Sequence, residues 1–156
     1  MPEPGFLADV MLQKLARWLR MLGCSVHPPI STNDDDLIRQ AADSNLILLT
    51  RDVALFKKAR DNCRAHLLKT DDLDLQLKEM LRKFKIPLRK RRIPSETICS
   101  ICNGKLEKVA KEEVRSSVPK KSFASVSDFL RCKACGKIFW KGSHNKKIIE
   151  KITRLR

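Results

Sequence analysis

Tyrosine is absent from the 156 residues, and aromatic side chains of all kinds make up only 5%. So thin a supply argues against a surface that reads bases by stacking, leaving charge as the main attraction for a polyanion. Long apolar runs are missing too: a stretch such as LILL, residues 46–49, falls far short of the roughly 20 residues a membrane span needs. The opening MPEPGFLADVMLQKLARWLRMLG lacks the basic start, unbroken apolar run and small-residue cleavage site of a secretory leader. These absences predict a soluble intracellular protein, cytoplasmic or nuclear, with no membrane partner. In that reducing setting the six cysteines read as thiols and metal ligands rather than disulfides.

Acidic residues are scarce in one half of the chain. Residues 1–88 carry 14 Lys and Arg against 12 Asp and Glu, whereas residues 89–156 carry 19 against 6. The second segment is thus a polyanion magnet, with nucleic acid as the first partner to consider; the plain alternative is a solvated lysine-rich surface. Its cations include Arg89, Lys90, Arg91, Arg92, Lys120, Lys121, Arg131, Lys133, Lys137 and Lys141.

The first segment alternates short apolar runs with amphipathic stretches. GFLA reads as a strand ending at Asp9, followed by a helix over 10–22 closed by Gly23, then a short strand over 24–27. A second helix carries Leu37, Ile38, Ala41 and Ala42 on one face. LILLT is a buried strand, 53–60 a short helix, 65–68 a fourth strand, and Thr70-Asp71-Asp72 opens a last helix. Four strand-helix alternations predict an α/β domain over 1–88, a small parallel sheet covered by helices. A basic module over 89–156 follows.

Open parallel sheets bind ligands outside the carboxyl ends of their strands. Asp9, Asp52, the triplet Asp34-Asp35-Asp36 and Asp71-Asp72 all fall near such ends on this reading. Converging carboxylates repel by roughly 4 kcal/mol at about 4 Å and an effective dielectric near 20, so a hard cation, Mg²⁺ or Mn²⁺, is the natural compensation. The chemistry suggested is metal-assisted phosphodiester hydrolysis. Each aspartate also stands where a helix begins, and Asp34, Asp52 and Asp71 read equally as N-caps. Lys14, Arg17 and Arg20 form a polar stripe on the first helix, suited to phosphate or simply solvated.

In the module, Cys99-Ser-Ile-Cys102 and Cys132-Lys-Ala-Cys135 are two C-x-x-C knuckles, each followed within two residues by a glycine. Four thiolates make the closed tetrahedral set of a structural zinc, with no open position for catalysis. The 29 residues between the knuckles form a longer insert than usual, at a cost that grows only logarithmically. With so few large apolar side chains, the module should draw much of its folding free energy from the metal.

FLADVMLQKLARWLRMLG, NDDDLIRQAA, ILLTRD, the two knuckles and FWKGSH together resemble the Mut-7 C-terminal RNase domain family, a PIN-like nuclease fold with a zinc ribbon, over nearly the whole chain. The resemblance implies that Asp9, Asp35 or Asp36, and Asp52 form an acidic pocket, with Ser25 and Asn145 standing where such proteins often carry an acidic and an aromatic residue. It also implies a place beside 3′–5′ exonucleases and a protein partner in small-RNA processing. Two functions follow as expectations: a ribonuclease acting on single-stranded RNA, or a non-catalytic RNA-binding and partner-docking domain of a larger exoribonuclease.

Overall fold

The computed structural model describes residues 3–89 and 94–155. Four strands, β1 (Phe6–Ala8), β2 (Val26–His27), β3 (Ile47–Thr50) and β4 (Ala65–Leu67), form a parallel sheet in the order β2-β1-β3-β4. Buried on both faces, the inner strands read as continuous apolar runs rather than alternating ones: FLA in β1 and ILL in β3 are buried throughout.

Helices α1 (Gln13–Met21), α2 (Asp34–Asp43), α3 (Val53–Ala59) and α4 (Leu73–Lys83) fill the crossovers. The spacing of Leu15, Ala16 and Leu19 buries one face of α1, and Leu77 and Met80 do the same for α4. Both helices belong to one core cluster, with Phe6, Leu49 and Leu68 of the sheet region. Leu37, Ile38 and Ala41 of α2 and Leu55 and Ala59 of α3 form a second cluster with Leu7 and Leu48. The sheet is therefore covered on both sides.

Boundaries differ from the sequence reading where polar groups compete for the backbone. The helix foreseen from residue 10 begins as a 3₁₀ turn, Val10–Leu12, because Asp9 caps it by accepting from Met11 N. Gly23 takes φ +91° and donates to Arg20 O at 2.9 Å, the left-handed closure its position suggested. Asn33, not Asp34, caps α2, and Asp72, not Asp71, caps α4; Asp52 caps α3.

The C-terminal segment builds a three-stranded antiparallel sheet from β5 (Leu106–Val109), β6 (Phe129–Cys132) and β7 (Ile138–Trp140). The insert between the knuckles is folded: a 3₁₀ turn (Lys111–Val114) and α5 (Lys120–Ser125) bring Val114, Val118 and Phe123 against Phe129 and Trp140. The last helix, α6 (His144–Arg154), starts at His144, with Ser143 at its cap position but making no side-chain bond there. Ile152 of α6 and Leu155 just beyond it are buried in the first core cluster, with Ile148 packed against it. No helix among the described residues is long and apolar enough to cross a membrane.

Candidate functional site

Strand order places β2 on one side of β1 and β3 on the other, so successive crossovers leave β1 in opposite directions. The resulting switch point lies between the carboxyl ends of β1 and β3, where open α/β sheets bind ligands. Asp9 stands there, directly after β1 and only 4% exposed. Its Oδ2 accepts a 2.6 Å bond from Thr50 Oγ1 and its Oδ1 a 2.8 Å bond from Met11 N. Thr50, the last residue of β3, accepts in turn from Asp52 N at 3.0 Å. One buried hydroxyl thus ties Asp9 to the backbone of Asp52 across the switch point. Each bonded carboxylate oxygen keeps lone-pair capacity.

Asp52 uses one oxygen to cap α3, accepting from Ala54 N at 2.8 Å and Leu55 N at 3.1 Å. Arg51, between Thr50 and Asp52 in the sequence, has its Nε buried with no hydrogen-bond partner, the one such side-chain atom among the described residues. Motif spacing gave no reason to single it out. A buried donor left without an acceptor is costly, so its position invites an anion.

The triplet after β2 is disposed otherwise. Asp35 is exposed and pairs with Lys58 of α3 at 2.7 Å, which holds its carboxyl below the ordinary range, and Asp36 meets Arg39 at 3.4 Å. The structure brings together Asp9, Thr50 and Asp52, with Arg51 between the last two in the chain. It directs Asp35 and Asp36 to cations on the α2–α3 side. Among the described residues, no carboxylates form a group of three able to share an ion.

The four knuckle cysteines do form such a group, their sulfurs all within 4.8 Å of one another. Cys99 Sγ to Cys135 Sγ is 3.8 Å and Cys102 Sγ to Cys132 Sγ 3.5 Å. These are too long for disulfides and close to the edges of about 3.8 Å that a tetrahedron with Zn–S bonds near 2.3 Å would have. The two turns are equivalent: the first cysteine N–H of each donates five residues on, Cys99 to Gly104 O and Cys132 to Lys137 O. Gly136 takes the left-handed φ of +75° that a knuckle turn needs, but in the first turn Asn103 takes it, at φ +68°. Gly104 is required for space instead, since a Cβ there would lie 2.7 Å from Cys132 Sγ. Without a cation the thiols conflict. Burial pushes Cys99 up to about 12; at Cys132 the effect of burial is outweighed by backbone N–H groups of Cys135 and Ala134, which hold it down to about 7. A dication held by four thiolates resolves that conflict, and the set fits a metal such as zinc.

Cys24, buried beside the first core, is pushed up to about 12 by burial and stays an inert thiol. The basic residues divide by environment. Lys14 and Arg17 are exposed on α1, and Lys120, Lys121, Lys137 and Arg89 are exposed as well. Arg131, Lys133 and Lys141 pair with Glu113, Glu107 and Glu96. Lys90, Arg91 and Arg92 lie outside the described residues. Arg20 departs from the sequence reading: it is 2% exposed and donates from Nε to Val26 O at 2.8 Å and from Nη1 to Ile101 O at 2.9 Å. Docking of the first knuckle buries it, so it is unavailable to phosphate.

The Mut7-C RNAse domain model matches residues 4–152, which takes in the switch point, both knuckles and most of α6. The chain belongs to this family. A Mut7-C domain therefore combines a parallel α/β sheet with a four-cysteine cluster, and its family points to a nuclease-type role and RNA as ligand. Neither a curated protein nor a solved structure matches the chain.

Proposed function

We propose that this Mut7-C domain is an RNA-binding ribonuclease centred on the switch point between β1 and β3. The observation that carries the reading is the buried Asp9 carboxylate, fixed by Thr50 beside Asp52 at the edge where such sheets bind ligands. Asp9 and the free oxygen of Asp52 fit the habit of Mg²⁺, and of Mn²⁺ by analogy: one or two carboxylates with the remaining positions left to water and substrate phosphate. Such an ion, when bound, would activate water and neutralise charge on a phosphodiester. The chain's own part is to hold these two carboxylates rigidly and to offer the Arg51 guanidinium to a phosphate oxygen. Asp35 and Asp36 contribute through the field of the α2 N-terminus, their direct partners being Lys58 and Arg39. Zinc in the four thiolates is structural. A place in small-RNA processing beside a 3′–5′ exonuclease belongs to this same reading.

A second reading, a non-catalytic RNA-binding domain that docks a larger exoribonuclease, is favoured by the same residues' other duties. Asp9 caps a 3₁₀ turn, Asp52 caps α3, and among the described residues no third carboxylate joins them. Labelled single-stranded RNA incubated with the zinc-loaded chain and Mn²⁺ separates the two. Asp52→Asn is the clean variant, because Asn caps a helix as well as Asp. The ribonuclease reading expects at least a 10-fold loss of cleavage in Asp52→Asn with RNA binding retained. Equal, negligible cleavage by wild type and variant, with binding intact, leaves the docking reading.

A further inference from the structure

The two helical layers of the α/β sheet differ in charge. On the α2–α3 side, Asp34, Asp35, Asp36 and Asp43 outnumber the cations of α2, and Lys58 is spent on Asp35. On the other side, α6 lies over the pair α1–α4, and Lys151 marks the contact: it bonds Asp74 in the first turn of α4 while its Nζ stands 5.4 Å from the centre of the Trp18 ring of α1. Ile148, Ile152 and Leu155 fasten the helix there.

Helical spacing shows what flanks this seam. Lys14 is four residues before Trp18, Lys147 four before Lys151, Arg154 three after it, and Lys78 four after Asp74, so each lies on the same face as a residue that touches the seam. Lys14, Arg17, Lys78, Lys147 and Arg154 are exposed and make no ion pair with a described residue. The seam's own carboxylate, Asp74, is already consumed by Lys151, and Glu79 faces His66. Glu150 is the one exposed carboxylate left on α6. In the module Arg131, Lys133 and Lys141 are paired with neighbouring glutamates, while Lys105, Lys108, Lys120, Lys121 and Lys137 are exposed without an ion pair to a described residue, so what sets the seam apart is its position.

Position adds direction. Both α1 and α4 begin at the carboxyl edge of the sheet, and Gln13, next to Lys14, donates from its side chain to Asp9 O at 3.1 Å. On α6 the cations Lys147 to Arg154 span about 10 Å, at 1.5 Å per residue, and on α1 Lys14 adjoins Gln13, which bonds Asp9.

We infer that the α1–α4–α6 seam, rather than the cysteine-bearing module, is the track that holds the single-stranded RNA backbone and leads it to the edge carrying Asp9. The inference rests on the RNA-binding reading above and names its contact face. Phosphates meet the unpaired lysines and arginines, and Trp18, partly exposed beneath Lys151, registers occupancy of the track.

The test compares two charge reversals in the zinc-loaded full chain: Lys14→Glu with Lys147→Glu on the seam, and Lys120→Glu with Lys121→Glu on the module. Affinity for a labelled single-stranded RNA is measured across a salt series, with circular dichroism melts to show that both variants fold. The seam variant should bind at least 10-fold more weakly and flatten the plot of log K against log salt by roughly 1.4, about 0.7 for each lost phosphate contact. The module variant should stay within about 3-fold of wild type. A second readout needs no change on the seam: in Trp140→Phe, Trp18 is the sole tryptophan, and adding RNA should change its emission. Normal binding by a folded seam variant, or a silent Trp18 at saturating RNA, overturns the track. A wild-type chain that binds anionic vesicles but no RNA overturns the RNA reading and the track with it.

Discussion

A single arginine shows how far a residue's role can lie from its pattern. Arg20 sits at helical spacing from Arg17 and Lys14, so the sequence reads it as part of a solvated or phosphate-facing stripe. Its burial is set by contacts 80 and more residues away, where Ser100 O and Ile101 O face its Nη1, and no local period carries that information. Asp9 was legible by contrast, because a carboxylate at the end of an apolar run in an α/β pattern must sit at the sheet edge. Thr50, which orients Asp9, and Arg51 beside it were not, since their importance arises only when β3 pairs with β1. Replacing Arg20 by Met keeps much of the apolar stem but leaves the carbonyls of Val26 and Ile101 without donors. Unmet buried acceptors cost about 1–3 kcal/mol each, so a loss of roughly 3 kcal/mol is expected in urea unfolding. Arg20→Lys should recover only part of it, because an ammonium cannot span both carbonyls as a planar fork does.

At the level of elements, strands and helices were readable wherever burial imposes a period, as in Leu15, Leu19 and the run of β3. Their ends were less so. Runs such as Asn33 to Asp36 and Thr70 to Asp72 offer several acceptors in a row, and only backbone geometry selects which one caps. The packing of α4 on β4 carries its own titration. His66 of β4 is nearly buried, with Nε2 2.7 Å from Glu79 Oε1 of α4 and its ring edge-on to Phe84 at 5.6 Å. Burial lowers its pKa from the usual 6.5, outweighing the raising effect of Glu79, so the pair is not a full ion pair at neutral pH. The folded state thus binds the proton less readily than the unfolded chain. This contribution to stability is complete above about pH 6.5 and is lost as pH falls through the lowered pKa of the folded state. Urea midpoints of wild type should decline on acidification across that window, and His66→Gln should flatten this part of the profile. An unchanged slope in the variant would assign the decline to other groups.

For the whole molecule, the sequence suggests an α/β domain followed by a metal-dependent basic module, and with it the expectation that losing the metal abolishes tight RNA binding before it disturbs the α/β domain. The contacts argue for coupling. Asn103, held in its left-handed conformation by the first knuckle, accepts from Val26 N at 2.8 Å and donates to Ser25 Oγ at 3.1 Å, so the metal turn is fastened to the edge strand β2. Arg20 locks the same turn from α1. The chain then passes through the module to α6, whose last turns bury Ile152 and Leu155 in the core around Phe6, Leu15 and Leu19. Zinc binding to such a turn is worth on the order of 10 kcal/mol or more, comparable with the 5–15 kcal/mol that holds a typical domain together. If the knuckle opens, Asn103 leaves β2, and Arg20 keeps Val26 O but loses its bonds to Ser100 O and Ile101 O along with the packing that buries it. Cys99→Ser in the full chain should therefore lower one cooperative transition in calorimetry by roughly 10 °C or more, at 2–4 °C per kcal/mol for a chain of this size. It should not produce an early module transition followed by an unshifted α/β one. Two transitions, the later at the wild-type temperature, would show that the sheet stands without its knuckle and that the bonds through Arg20 and Asn103 carry little of its stability.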